Sequence, residues 1–232
     1  MHPIDKSARI AGALYLLLMG APLRLVYIPN TLFVHGDATA TAANIASHEA
    51  LFRLGIVADL FTGVIMIFLV LALYRLFKDV DRNHAVLMVI LGGLMVAPIY
   101  FLNTVNDAAA LILIRGADFL SVFETAEREA LAMFFLRLHH HGVLANEIFW
   151  GLWLFPFGIL VIRSRFLPRF LGWWLIAGGT AYVAISLTGL LWPQYAQTVY
   201  NSAFPAMLSE IAIMLWLLIK GAKVQPSPAA AS

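Results

Sequence analysis

The sequence predicts an all-α membrane protein, a polytopic helix bundle with six transmembrane helices and both termini in the cytoplasm. Only 12% of the 232 residues are charged and 62% are hydrophobic, whereas a soluble domain usually carries about 25% charged residues. The stretch from Phe170 to Ser209 contains no formally charged side chain. None of the apolar segments alternates with period two, the pattern of a membrane-spanning strand, so helices are the favoured elements.

Six segments are apolar for about the 20 residues that a membrane-spanning helix needs. They are roughly residues 9–29, 50–76, 84–108, 142–163, 169–191 and 202–220. The first follows Lys6 and Arg9 as the core of a signal peptide would, but apolar residues resume after Arg24, which favours a retained helix. Pro193 separates the last two spans, because proline disfavours helix at the preceding Trp192.

Basic residues predict the orientation, since cytoplasmic connections carry an excess of lysine and arginine. With the N-terminus inside, ten of the fifteen Lys and Arg residues fall on the cytoplasmic side: Lys6, Arg9, Arg75, Lys78, Arg82, Arg163, Arg165, Arg169, Lys220 and Lys223. The opposite connections carry mostly acidic residues, among them Asp37, Glu49, Asp118 and Glu129. We therefore expect both termini in the cytoplasm.

Two segments outside the spans complete the predicted organisation. From Phe119 to Leu138, Ser121 precedes Glu124 by three residues, a capping-box pattern, and the segment predicts a short amphipathic helix at the outer membrane interface. The Pro-, Ala- and Ser-rich end of the chain predicts disorder. Residues 1–221 would then form a single transmembrane helical domain, followed by a disordered cytoplasmic tail at residues 222–232.

Several strings together resemble a known family. They include ARIAGALYLLL (Ala8 to Leu18), GDATATAANIASHEALFRLGIVADL (Gly36 to Leu60), RGADFL (Arg115 to Leu120) and SEIAIMLWLLIKG (Ser209 to Gly221). In this order they are similar to a bacterial family of multi-pass membrane proteins catalogued as domain of unknown function 4386, over about residues 7–221. The resemblance implies a bacterial inner-membrane protein, supplies no activity, and matches Arg53, Asp59, His139 and Glu210 residue by residue.

Depth in the bilayer ranks the charged residues, because burying a charge in lipid is costly. At a rise of about 1.5 Å per residue, Asp59 and Glu147 lie about 24 Å above Arg75 and Arg163, just within the outer leaflet. Glu210 lies about 15 Å from the end of its span, near the bilayer centre. An unpaired carboxylate there costs at least ~2.5 kcal/mol, so we expect Glu210 to be protonated, paired or facing water, most simply in a helix–helix hydrogen bond.

Other polar residues lie near the outer rim of the predicted bundle. Arg24 and Arg53 can reach the outer headgroups as interfacial anchors, and Arg53 can pair with Glu49 one turn away. The third span places three polar residues on one helix face, at i, i+3 and i+4: Asn103, Asn106 and Asp107. A solvated helix end and a binding site explain these three about equally well.

Three consecutive histidines, His139 to His141, precede the fourth span. Successive helical residues differ by about 100°, so the three cannot bind one ion together from a regular helix. The sequence contains no HExxH or GxSxG motif, and the absence of cysteine excludes thiolate chemistry. We expect no cofactor. If a divalent metal is bound, the favoured ligands are His139, His140, Asp59 and Glu147, with Asp107 as a further candidate.

Three functions are compatible with these residues. The favoured one is a non-enzymatic binding, sensing or small-solute-handling module. Its outward-facing polar cavity would be lined by Arg53, Asp59, Asn103, Asn106, Asp107, His139, Glu147 and Glu210. The alternatives are an intramembrane metal-dependent hydrolase with a histidine–carboxylate site and a structural scaffold. The expected partners are the lipid bilayer and a small molecule or ion. Because membrane topology accounts for the basic residues, we expect no nucleic-acid binding.

Overall fold

The structure, a computed structural model, describes residues 3–18 and 21–222. Every regular element within these ranges is a helix, which confirms the predicted all-α class. The α-helices are α1 (Pro3–Leu17), α2 (Ile28–Leu32), α3 (Ala38–Ser47), α4 (Glu49–Phe77), α5 (Arg82–Val89), α6 (Val96–Arg115), α7 (Thr125–Arg163), α8 (Arg169–Leu191), α9 (Ala196–Met207) and α10 (Ser209–Leu215). Shorter π-helical stretches precede α2 (Leu23–Tyr27), join α5 to α6 (Ile90–Met95) and extend α10 (Trp216–Lys220).

Five helical stretches of the described chain are long and apolar enough to cross a membrane, as judged by length and composition. They are Glu49–Phe77, Arg82–Arg115, Thr125–Arg163, Arg169–Leu191 and Pro193–Lys220. Large apolar side chains cover their surfaces, and Leu94, Leu102 and Val105 are 67%, 65% and 61% exposed. Exposed apolar side chains in such number are typical of a surface that contacts lipid.

The predicted first span and the predicted tail both reach beyond the described ranges. Residues 9–29 correspond to most of α1 and to the π-helical stretch before α2, with residues 19 and 20 outside the description. The predicted disordered tail, apart from Ala222, also lies outside the described residues.

The segment predicted as a separate interfacial helix belongs instead to α7, which continues for 39 residues through the histidines into the predicted fourth span. Its start also differs from the predicted capping box, because the Glu124 backbone N–H donates to Glu127 Oε2 at 2.8 Å. Glu127 therefore supplies the capping carboxylate. The chain has no proline between Thr125 and Pro156, and helix-favouring Ala, Glu, Leu and Arg are frequent in its first half, so no residue ends the helix early.

The described chain divides into two compact units, each built from separate stretches of sequence. The first unit contains the described residues up to Leu17, Ile65–Val96, and the described residues from Leu144 onward. The second unit contains the described residues of Leu18–Val64, together with Ala97–Val143.

Within the first unit, α7 and α8 approach closely through two pairs of glycines. A Cβ atom added to Gly151 would lie 2.5 Å from the carbonyl oxygen of Gly179, and one added to Gly158 would lie 2.6 Å from that of Gly172. The two glycines of each helix are seven residues apart and so share one face. Small residues at these positions let the two backbones come together, as is common between membrane helices.

Within the second unit, five helices contribute to one apolar core. Its buried members include Ile28 and Leu32 of α2, Ile45 of α3, Phe52 of α4, Ala110 of α6 and Leu136 of α7. At the start of α3, Asp37 accepts a hydrogen bond from the Ala40 backbone N–H at 2.8 Å and caps the helix. This packing fixes the helices that carry the charged residues of the candidate site.

Candidate binding site

The second unit buries an arginine–aspartate pair. Arg24 lies in the π-helical stretch before α2, and Asp107 lies on α6. Arg24 Nε donates to Asp107 Oδ2 at 2.8 Å and Arg24 Nη2 donates to Oδ1 at 2.6 Å, with the two side chains 2% and 0% exposed. The interpretation of Arg24 as an interfacial anchor is therefore wrong. A bidentate pair of this kind is neutral as a whole and holds both groups in one orientation.

The surroundings of Arg24 make room for its long side chain. A Cβ atom at Gly55 of α4 would lie 3.0 Å from Arg24 Cδ and 2.4 Å from Ile28 Cδ1, so a larger residue there would displace both side chains. Phe33 places its ring centroid 5.8 Å from the Arg24 guanidinium carbon, within the range of a cation–π interaction. The π-helical stretch Leu23–Tyr27 belongs to a class of helix distortion that is frequent at functional sites.

His139 of α7 lies between two buried aspartates. Its Nδ1 atom is 3.2 Å from Asp107 Oδ1 and 3.4 Å from the Asn103 carbonyl oxygen, while its Nε2 atom is 3.7 Å from Asp59 Oδ2. All four residues are at most 4% exposed. Because both neighbours of Nδ1 are acceptors, Nδ1 carries the proton in the neutral ring, and Nε2 then presents its lone pair towards Asp59.

This arrangement leaves polar atoms of Asp59 and His139 without partners. His139 Nε2 and Asp59 Oδ1 are buried and have no hydrogen bond, and the 3.7 Å from Nε2 to Oδ2 exceeds the usual N–H···O distance of about 2.7–3.2 Å. Most buried polar atoms are hydrogen-bonded, and an isolated buried carboxylate is especially unfavourable. Arg24, Asp59, Asp107 and His139, which we call the aspartate–histidine cluster, therefore form a buried charged site that could accept a positively charged group.

The same cluster contains a possible metal-ligand set. Asp59, Asp107 and His139, all among the described residues, each offer a donor atom, and these atoms lie within 4.8 Å of one another. Of the ligands favoured from the sequence, Asp59 and His139 belong to this group. His140 is exposed on α7, and Glu147 belongs to the first unit.

Not all of the residues expected to line the cavity join the cluster. Arg53 is exposed, and its Nε donates to Glu49 Oε1 at 2.6 Å, as predicted for an i, i+4 pair. Arg115 Nη1 donates to the same oxygen at 3.2 Å, so these residues form a surface ion network. Asn103 is buried beside His139, and Asn106 is half-buried.

Glu210 lies in the first unit and has its own partners. The Tyr15 hydroxyl of α1 donates to Glu210 Oε2 at 2.5 Å, and Tyr182 of α8 also hydrogen-bonds to this carboxylate. Tyr15 is 1% exposed and packs with its ring centroid 6.1 Å from that of Trp153. The geometry favours a helix–helix hydrogen bond as the role of Glu210. The sequence reasoning missed Tyr15, although a tyrosine within the aliphatic run ALYLLL is a visible signal.

Glu147, also in the first unit, is less well satisfied than Glu210. Its Oε2 atom is buried without a hydrogen-bond partner, as is Oδ1 of the neighbouring Asn146. The Asn146 side-chain amide donates to the Val96 carbonyl oxygen at 3.4 Å. Asn146 thus connects α7 to the start of α6.

The described residues thus define an all-helical protein with five helical stretches long and apolar enough to cross a membrane and with ionisable groups buried among its helices. The chain belongs to the family described as domain of unknown function (DUF4386), whose profile matches residues 10–221. The family resemblance of the quoted strings is thus confirmed. No curated protein and no solved structure is significantly similar to the chain.

Proposed function

We propose that the protein is a non-enzymatic membrane module that binds a small cationic ligand at the aspartate–histidine cluster, as a sensing or solute-handling protein would. The observation that carries this proposal is the buried gap of 3.7 Å between His139 Nε2 and Asp59 Oδ2. Because Arg24 and Asp107 neutralise each other, the negative charge of Asp59 has no full counter-charge when His139 is neutral. A ligand with positive charge would supply it.

The proposal includes a membrane arrangement with six spans and cytoplasmic termini, in the bacterial inner membrane. Basic residues support this orientation, since Arg75 lies in the last turn of α4 and Arg163 in the last turn of α7. Counted along the chain, Asp59 precedes Arg75 by about 24 Å of helical rise. This separation supports an outer-half position for the cluster, with an opening towards the outside.

A metal-dependent intramembrane hydrolase is the second candidate, because Asp59, Asp107 and His139 bring three donor atoms within 4.8 Å of one another. Such an enzyme also needs a group that takes the proton from the metal-bound water. In the cluster, Asp107 is held by both hydrogen bonds from Arg24, and Asp59 would be a ligand. The absence of a further free base within the cluster favours binding over hydrolysis.

Ligand-dependent stabilisation of the detergent-purified protein tests the proposal. We expect at least one member of a panel of divalent metals, alkali metals and organic amines to raise the Tm of the wild type and to leave that of Asp59→Asn unchanged. Glu49→Gln, a carboxylate change at a partly exposed position of the same helix, is the matched control and should keep the response.

Two results would count against the proposed function. If no panel member stabilises the wild type and Asp59→Asn lowers its stability, Asp59 has a structural role and the scaffold interpretation replaces binding. If the protein hydrolyses ester or peptide substrates and Asp59→Asn removes that activity, the hydrolase replaces it.

A further inference from the structure

We infer that the ligand of the aspartate–histidine cluster is a divalent transition-metal ion of the Zn²⁺, Mn²⁺ or Fe²⁺ type, bound by Asp59 and by His139 Nε2. Asp107 would act as the group that orients His139. This inference rests on the proposed function and names the ligand of the same site.

The two donor groups, His139 and Asp59, are separated by a distance that suits two ligands of one metal ion. Ligand atoms bound to one ion at about 2.1 Å, with an angle of about 110–120° between the bonds, lie about 3.4–3.6 Å apart. The distance from His139 Nε2 to Asp59 Oδ2 is 3.7 Å. A proton shared by the same two atoms would instead draw them to about 2.7–3.2 Å. The observed gap thus fits a bridging metal ion better than a hydrogen bond.

The imidazole ring of His139 is oriented as in a metal-binding histidine. A metal-binding histidine almost always donates its other ring N–H to a carboxylate, a carbonyl or water, which fixes the tautomer and the ring direction. His139 Nδ1 is 3.2 Å from Asp107 Oδ1, and Asp107 is itself held by Arg24 through two hydrogen bonds. The chain of contacts from Arg24 through Asp107 to His139 therefore directs the Nε2 lone pair at Asp59 before any ion binds.

The donors of the site, one imidazole nitrogen and one carboxylate, favour a transition metal. Imidazole suits zinc, iron and related metals, whereas magnesium and calcium prefer sites made of oxygen ligands alone. Asp59 and His139 are 1% and 3% exposed. His139 Nε2 has no hydrogen-bond partner and lies 3.7 Å from Asp59 Oδ2. The second oxygen of this carboxylate, Asp59 Oδ1, is also unpartnered, so Asp59 can bind the ion through one or both oxygens. The other positions around the ion would take water, hydroxide or an anionic solute, which would also offset the remaining positive charge.

Metal titration tests the inference. The protein carries no affinity tag and is purified in the presence of a chelator, which is removed before the titration. Zn²⁺ and Mn²⁺ are added, Tm is recorded, and affinity is measured by competition with a chromophoric chelator. Asp59→Asn and His139→Gln should weaken binding at least about 100-fold, and Asp107→Asn by about 10–100-fold, the range for groups that support a ligand. The matched controls His140→Gln and Glu147→Gln should bind metal with an affinity within about two-fold of the wild-type value, because neither residue belongs to the cluster.

Metal affinity that is unchanged in Asp59→Asn and His139→Gln would overturn the inference. If these variants do not fold, X-ray absorption of the zinc-loaded wild type decides: an imidazole nitrogen at about 2.0 Å supports the site, and an oxygen-only shell overturns it. If metals leave the Tm of the wild type unchanged, while an organic amine raises it and does not raise that of Asp59→Asn, the metal inference fails and the proposed function stands. If no ligand stabilises the wild type, both fail.

Discussion

Asp59 in the second unit and Glu210 in the first are both acids within long apolar helical stretches, and their surroundings differ in one decisive respect. Glu210 accepts hydrogen bonds from the hydroxyls of Tyr15 and Tyr182. Asp59 keeps one oxygen without a partner and faces a histidine nitrogen in the same condition. The first arrangement is complete without a ligand, and the second is not. Whether the oxygens of a buried acid have hydrogen-bond partners, more than the depth of the acid, therefore distinguishes a structural contact from a candidate binding site.

The largest expected effect comes from removing the counter-charge of the aspartate–histidine cluster. Arg24→Met leaves Asp107 buried without its ion pair, which should lower the free energy of unfolding by about 3–5 kcal/mol. Arg53→Met, at an exposed arginine, should change it by about 0.5 kcal/mol at most. Denaturant unfolding of the detergent-solubilised protein measures both, and equal losses in the two variants would show that the buried pair is no more important than the surface one.

The Glu210 site should show a smaller loss when one of its donors is removed. Tyr15→Phe deletes the hydroxyl that donates to Glu210 Oε2, and a buried polar atom left without its partner costs about 1–3 kcal/mol. Tyr27→Phe is the control, because that ring is 55% exposed. The same unfolding measurement applies, and a Tyr15→Phe variant as stable as the control would mean that Glu210 does not depend on this hydrogen bond.

Replacing each acid by its amide should change the free energy of unfolding in opposite directions at Asp59 and at Glu210. In metal-free protein, Asp59→Asn removes a buried unpartnered charge and should raise the free energy of unfolding by about 1 kcal/mol. Glu210→Gln replaces a carboxylate that receives two hydroxyl donors, and should lower it by about 1 kcal/mol. Paired unfolding curves check this prediction. A loss of stability in both variants would remove the contrast between the regions.

A partly exposed acid at the start of a helix, Asp81, provides the smallest effect and a reference remote in sequence from both Asp59 and Glu210. At the start of α5, Asp81 accepts hydrogen bonds from the backbone N–H groups of Asn83 and His84, and it also pairs with Arg163. The backbone hydrogen bond from His84 holds the pKa of Asp81 below its usual value. Since the folded-state pKa is lower than the unfolded-state value of about 3.9, the stabilisation is present above that pH and is lost as pH falls through the folded-state pKa.

Asp81→Asn keeps a helix-capping side chain and removes this titration. Its stability should therefore decrease less steeply than that of the wild type as pH falls below about 4. Tm measured across this acidic range checks the prediction, and parallel curves for the two proteins would contradict it.

The sequence predicted well those features that depend on composition and local pattern. The all-α class follows from the few charges and the long apolar runs, and α8 covers the same residues, 169 to 191, as the span expected there. The depth of Asp59 and Glu210 in their spans marked both as costly residues. Their partners left no local signal, because Tyr15 is 195 residues from Glu210 and Arg24 is 83 residues from Asp107.

Two predictions, the interfacial position of Arg24 and the separate interfacial helix before the histidines, failed for the same reason. Both depend on structure that the local sequence does not specify. Arg24 has the position of an interfacial anchor when its helix is considered alone, and only the packing of α6 beside it supplies a buried carboxylate. Similarly, the histidines suggested a junction between two helices, but α7 continues through them, since a run of polar residues without proline does not end a helix.

The separation of Arg24 from Asp107 also has a consequence for the timing of biogenesis. Ribosomes add about 5–20 residues per second, so the 83 residues between the two partners take roughly 4–17 s to synthesise. During that interval the Arg24 guanidinium lacks the carboxylate that pairs with it in the folded protein. The buried pair of the second unit can therefore form only after α6 has been made.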